Sequence, residues 1–168
     1  LHTEALGIKR RVLGPQHPFT LSSMDNLAIV LAFQGRHGDA ESLCREALAG
    51  YEARLGPEHR NTLAMRSNLA EYLRNQGRFS EAESLFRQVM AIQDRVMAPS
   101  EPLRLETRNS LALLHLLRNE PAAAESLAAD WIRTGRRDLP AWLEGMIPDP
   151  APRGRAAGPD PNPGPAAQ

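Results

Sequence analysis

Between residues 18 and 34 the apolar positions Leu21, Met24, Leu27, Ala28 and Leu31 fall three and four apart, which places them on one face of a helix. Past Gly35 a second stripe runs over 37–55, formed by Ala40, Leu43, Cys44, Ala47, Leu48 and Tyr51. The figure returns twice. Helices are expected over 60–76 and 79–97, the latter with Ala82, Leu85, Phe86, Val89 and Met90 on its stripe. A further pair is expected over 102–118 and 121–134, with Ala124, Leu127, Ala128, Trp131 and Ile132. Gly35-Arg36 and Gly77-Arg78 stand where a helix C-terminus favours glycine. Alanines at fixed stripe positions let neighbouring helices approach closely. One such pair cannot bury its own apolar face, so pairs must stack.

The recurrence is in register at 42 residues: Gly14-Pro15-Gln16-His17 returns as Gly56-Pro57-Glu58-His59. Thr20-Leu21 returns as Thr62-Leu63, Asn26-Leu27-Ala28 as Asn68-Leu69-Ala70, and Gln34-Gly35-Arg36 as Gln76-Gly77-Arg78. Ala40-Glu41-Ser42-Leu43 has copies at Ala82-Glu83-Ser84-Leu85 and Ala124-Glu125-Ser126-Leu127. The third copy is degenerate: Asn119-Glu120 stands in place of Gly-Arg, Ser110 in place of the asparagine and His115 in a leucine position. Terminal repeats are atypical because one face lacks a neighbour. Glu4-Ala5-Leu6 aligns on Glu46-Ala47-Leu48, so residues 1–13 read as the second helix of a repeat whose first helix lies upstream. That lone helix is expected to expose apolar surface.

The unit Leu-Gly-Pro-x-His-Pro-x-Thr-Leu, Asn-Leu-Ala, Gly-Arg and Ala-Glu-x-Leu resembles a tetratricopeptide repeat of the kinesin light chain type. Residues 13–21 carry the pattern nearly whole, and 55–63 keep it except that Arg60 replaces the second proline. The resemblance covers residues 1–134. It implies an all-α fold, a right-handed α-solenoid of antiparallel helix pairs whose first helices line a concave groove. The expected division is 1–13 as the second helix of a truncated repeat, 14–55 and 56–97 as repeats one and two, and 98–134 as a degenerate third. Residues 135–147 read as a short capping helix, with Trp142, Leu143 and Ile147 closing the stack. Residues 148–168 are rich in Pro, Gly and Ala, cannot bury a core, and read as a disordered tail.

Composition narrows the function. The 168 residues carry 20 basic and 20 acidic side chains and only 5% aromatics, which gives no drive toward nucleic acid or an anionic membrane and no base-stacking platform. No stretch approaches the roughly 18 apolar residues of a membrane span. Cys44 is the single cysteine and sits on a core stripe, so a reducing, cytoplasmic setting is expected. His17 and His59 recur one repeat apart at turns, which suits capping of the following helix rather than a metal. Glu41, Glu83 and Glu125 step along the array and do not converge as a catalytic pair. Arg10-Arg11 and Arg136-Arg137 read as solvated. No catalytic, metal or cofactor motif is present, and an enzyme is not expected.

What remains is the groove. If the family geometry carries over, repeat one offers Ser22, Asp25, Asn26, Ile29 and Phe33, and repeat two Ala64, Ser67, Asn68, Glu71 and Asn75. Repeat three offers Glu106, Asn109, Ser110, Leu113 and Leu117. The resemblance implies that Asn26 and Asn68 hold the backbone of an extended peptide, since an amide both donates and accepts. Alternatively they bond the neighbouring repeat's backbone and hold the superhelix. The groove reads as mixed, then polar, then apolar where Leu113, Leu116 and Leu117 cluster. The expected function is a scaffold that binds a protein or peptide partner on this concave face. The alternative is a regulatory or sensor array attached to an upstream NTPase-type domain, contacting other parts of its own chain.

Overall fold

The computed structural model describes residues 2–98 and 101–133, and side-chain surroundings for 3–98 and 101–127. Its helices all lie in one compact unit, Leu1–Arg137. The expected capping helix 135–147, the tail 148–168 and the side chains of Ala128, Trp131 and Ile132 lie outside the described residues.

Seven helices follow one another among the described residues, with no strand: α1 (His2–Leu13), α2 (Pro18–Phe33), α3 (His37–Leu55), α4 (Arg60–Asn75), α5 (Phe79–Val96), α6 (Pro102–Leu117) and α7 (Pro121–Arg133). Each packs mainly on its chain neighbours through short connections, and α4 also touches α6. That is an α-solenoid of antiparallel pairs, in which the first helices of successive pairs lie side by side. α2, α4 and α6 each end one residue before the expected boundary, because Gln34, Gln76 and Arg118 already serve as C-caps.

The turns explain why the sequence repeats where it does. At the start of α2 the His17 ring accepts a hydrogen bond at Nδ1 from the Phe19 backbone N–H, at 3.3 Å. His59 does the same for Asn61 at 3.1 Å. Both are N-caps that satisfy a helix-end donor. At the far end of α2, Arg36 N–H bonds Leu31 C=O at 2.9 Å and Gly35 N–H bonds Ala32 C=O at 2.9 Å. This is the paired closure that requires a left-handed residue after the cap. Gly35 and Gly77 supply it at φ +76° and +78°; in the third pair Asn119 does so at φ +60°.

The core is continuous along the stack. Leu6, Met24, Ala28, Cys44, Met65, Leu73, Phe86, Leu111 and Leu114 belong to one buried cluster that reaches from α1 to α6. Each large side chain buried this fully contributes roughly 1.5–3 kcal/mol. Leu31, Leu43 and Leu48 of the expected stripes are half-buried at its edge. α1 buries Leu6 but leaves Ile8, Leu13 and above all Val12, 75% exposed, facing out.

The junctions between pairs differ chemically. At the first, Cys44 Sγ lies 3.2 Å from Met65 Sδ. At the second, Gln93 Nε2 donates to Thr107 Oγ1 at 3.0 Å and to Leu103 C=O at 3.3 Å. Thr107 Oγ1 in turn donates to Leu103 C=O at 2.9 Å. Outside the core, polar pairs recur at the repeat offset: Arg66 with Glu52 at 2.7 Å, and Arg108 with Asp94.

Candidate functional site

The residues facing along the first helices fall in aligned columns: Asn26, Asn68 and Ser110; Ile29, Glu71 and Leu113; Phe33, Asn75 and Leu117. Between α2 and α4 these columns border a concavity of about 230 Å³. Ile29, Ala32 and Phe33 form one wall, and Asn68, Glu71, Tyr72 and Asn75 form the other. Phe33 is 89% exposed at the end of α2, an unusual position for an aromatic ring. Glu71 is tied to Arg74 one turn further on. The Tyr72 hydroxyl is buried with no hydrogen-bond partner among the described residues. Burial, and then the neighbouring Cys44, Asp25 and Glu71, push its ionisation far up, so it is a neutral hydroxyl. The concavity therefore joins an apolar wall to a wall of amides and a carboxylate paired with Arg74.

The columns are not uniformly available. Asn68 Nδ2 donates to Asp25 Oδ1 at 3.1 Å, across the junction between pairs. The contact is side chain to side chain, not to a backbone, and it uses one amide N–H of Asn68 and one carboxylate oxygen of Asp25. Burial raises the Asp25 carboxyl above its ordinary range, and the Asn68 bond works against that rise. Ser67, expected in the groove, is corrected: it is 9% exposed, with Oγ 3.2 Å from Thr107 Oγ1 inside the second junction. Asn26 and Ser22 stay exposed. Asn26 has no hydrogen bond among the described residues and lines a separate hollow with Ala5, Lys9, Ser23, Ile29 and Val30. In the third pair Asn109 is half-buried with its Oδ1 enclosed and unpartnered among the described residues. Leu113 and Leu116 are half-buried, so the expected apolar patch narrows to Leu117, 57% exposed.

His115, in its leucine position, is buried and its Nδ1 lies 2.7 Å from a Glu120 carboxylate oxygen. The recurring glutamates hold the pairs together. Glu41 accepts from Gln76 at 2.8 Å and from Arg78 at 3.0 Å. Burial pulls its pKa up, but Gln76, Arg45 and Arg78 outweigh burial and hold it below the usual range. Glu83 accepts from Arg118, which stands at the Gln76 position, at 2.6 Å. The Ala-Glu-Ser-Leu recurrence marked these glutamates in the sequence and the Gln-Gly-Arg recurrence marked Gln76 and Arg78; that the two blocks meet across the junction was legible from neither. Among the described residues no three His, Cys, Asp or Glu side chains converge as metal ligands. No described helix is long and apolar enough to cross a membrane.

The family model for the tetratricopeptide repeat matches residues 1–53, 26–95 and 61–131. No curated protein matches the chain in sequence. Among solved structures, the chain is similar to the nearly identical TPR-like repeats of a Podosopora anserina protein assigned as a kinesin light chain. The identity is 27%, with TM-score 0.71, over 85% of this chain and 70% of that one. A single-substitution variant of those repeats gives 27% identity and TM-score 0.72, over 85% and 69%. BtubC (BKLC) from P. vanneervenii shares the fold at 19% identity and TM-score 0.71, over 94% of this chain and 59% of that one.

Proposed function

The chain belongs to the tetratricopeptide repeat family, and from that premise we propose that it binds an extended peptide segment of a protein partner in the concavity between α2 and α4. Tetratricopeptide repeats generally act as protein-interaction scaffolds. The observation that supports this face is Phe33, exposed beside Ile29 and opposite Asn68, Glu71 and Asn75. An apolar side chain of the peptide packs on Phe33 and Ile29. Its backbone amides bond Asn75, and Asn26 where the peptide extends toward α1. Asn68 positions Asp25 instead of contacting the peptide directly. No cofactor takes part, and the setting is cytoplasmic.

Peptides selected from a random display library on the parent chain are titrated by fluorescence polarisation against Phe33→Ser and Asn75→Ala. Phe33→Ser should weaken binding about tenfold or more, the effect expected of an aromatic anchor, with unchanged helicity. Equal affinity of Phe33→Ser and parent would remove the groove as the binding surface.

A further inference from the structure

At the other end of α2, its first turn meets the end of α3 and the start of α4 around a second cavity, of about 290 Å³. Pro18, Leu21 and Leu55 give it apolar walls. The polar side chains on its rim, Tyr51, Arg54, His59 and Asn61, can each donate a hydrogen bond. The Arg54 guanidinium has no ion pair or hydrogen bond among the described residues. Tyr51 is only 8% exposed, yet its hydroxyl has no hydrogen-bond partner there either. Burial, and then the charge of Asp25, raise the ionisation of that hydroxyl, so it keeps its proton. His59 accepts at Nδ1 from the Asn61 backbone, which leaves Nε2 of the neutral ring as an N–H. The 16-residue α4 adds the positive end of its dipole.

The second junction shows what the first lacks. At the repeat offset, Pro18 becomes Arg60, Tyr51 becomes Gln93, Arg54 becomes Val96 and His59 becomes Glu101. There Glu101 pairs with Arg60, and Gln93 spends its amide on Leu103 and Thr107. The second junction thus supplies its own carboxylate. The residues lining the first include a guanidinium and a tyrosine hydroxyl but no carboxylate, the charge of Asp25 reaching Tyr51 from outside the lining.

We propose that the first junction is a carboxylate-binding site, taking one carboxylate on a short apolar stem between Arg54, Tyr51 and the start of α4. The stem lies against Pro18, Leu21 and Leu55. A free aliphatic acid and a glutamate side chain carry the same chemistry. The site is separate from the α2–α4 groove and stands or falls without it.

The test is an NMR titration of the full chain with butyrate, with butyramide and with the blocked tripeptide acetyl-Ala-Glu-Ala-amide. Butyrate or the tripeptide should shift the Arg54 Nε–H and the Asn61 side-chain amide saturably, while butyramide should not. Arg54→Gln should weaken binding about tenfold, as expected for loss of a charge-assisted bond, and Tyr51→Phe severalfold, both with unchanged thermal unfolding. Tighter saturation by the tripeptide identifies a partner's side chain as the ligand; tighter saturation by butyrate identifies a free acid. Equal shifts from butyramide, no saturation with either anion, or undiminished binding by Arg54→Gln would each overturn the proposal.

Discussion

Asp25 is a half-buried carboxylate whose hydrogen bond comes from one amide, that of Asn68. Burial is the larger influence on it, so its folded pKa stands above the ordinary 3.8. The sign follows from linkage. The folded state holds the proton more tightly than the unfolded state, so ionised Asp25 costs stability above its folded pKa and costs nothing below about 3.8. Asp25→Asn keeps an acceptor for Asn68 and removes the charge. Its thermal midpoint should therefore exceed the parent's at pH 7, and the gain should vanish as the pH falls below 3.8. Melts by circular dichroism at the two pH values measure both quantities, and a parent chain more stable at pH 7 would contradict the argument. The sequence aligned Asn26 with Asn68 and could not separate them, because their difference lies in the preceding pair: Asn68 has Asp25 to donate to. Ser67 misled for the same reason. Its column, Asp25, Ser67 and Asn109, is at least half-buried in every pair, and Ser67 turns to Thr107 of the next pair as Asp25 does to Asn68.

At the scale of the element, the helix boundaries were legible because they rest on local chemistry. A histidine at the cap and a residue with positive φ at the exit are properties of a few consecutive residues. Asn119 shows the rule surviving a change of residue. It takes the left-handed position at φ +60°, and Glu120 N–H still closes on His115 C=O at 2.8 Å. Asparagine tolerates this region better than other non-glycine residues but less well than glycine. Asn119→Gly should therefore stabilise the chain by a few tenths of a kcal/mol. Asn119→Ala should cost about 1 kcal/mol, the penalty for a Cβ in this conformation. Chemical denaturation of the three chains, compared at constant slope, gives both numbers. Equal stability of the alanine and glycine forms would mean that the third exit relaxes into another conformation.

For the molecule as a whole, stacking means that each pair leans chiefly on its neighbours, so damage should spread outward from where it is made. Phe86 is fully buried on α5, the helix that carries the core from α4 to α6. Phe86→Ala should cost about 3–5 kcal/mol. In hydrogen exchange, α6 and α7 should lose protection first, while α2 and α3 keep theirs. Uniform loss along all helices would show that the stack unfolds as one cooperative body. The two junctions carry a last consequence. Cys44 and Met65 meet at the first; the same two positions hold Phe86 and Thr107 at the second, where Gln93 replaces Tyr51. A small residue facing a large one has become a large residue and a small one, with an amide added. Each interface is thus keyed to its own neighbour, and the modules are not exchangeable bricks. A chain with residues 56–97 repeated in tandem would set Phe86 against Met65 of the next copy and leave Gln93 without the Thr107 hydroxyl, so which unit follows which is itself part of what the sequence encodes.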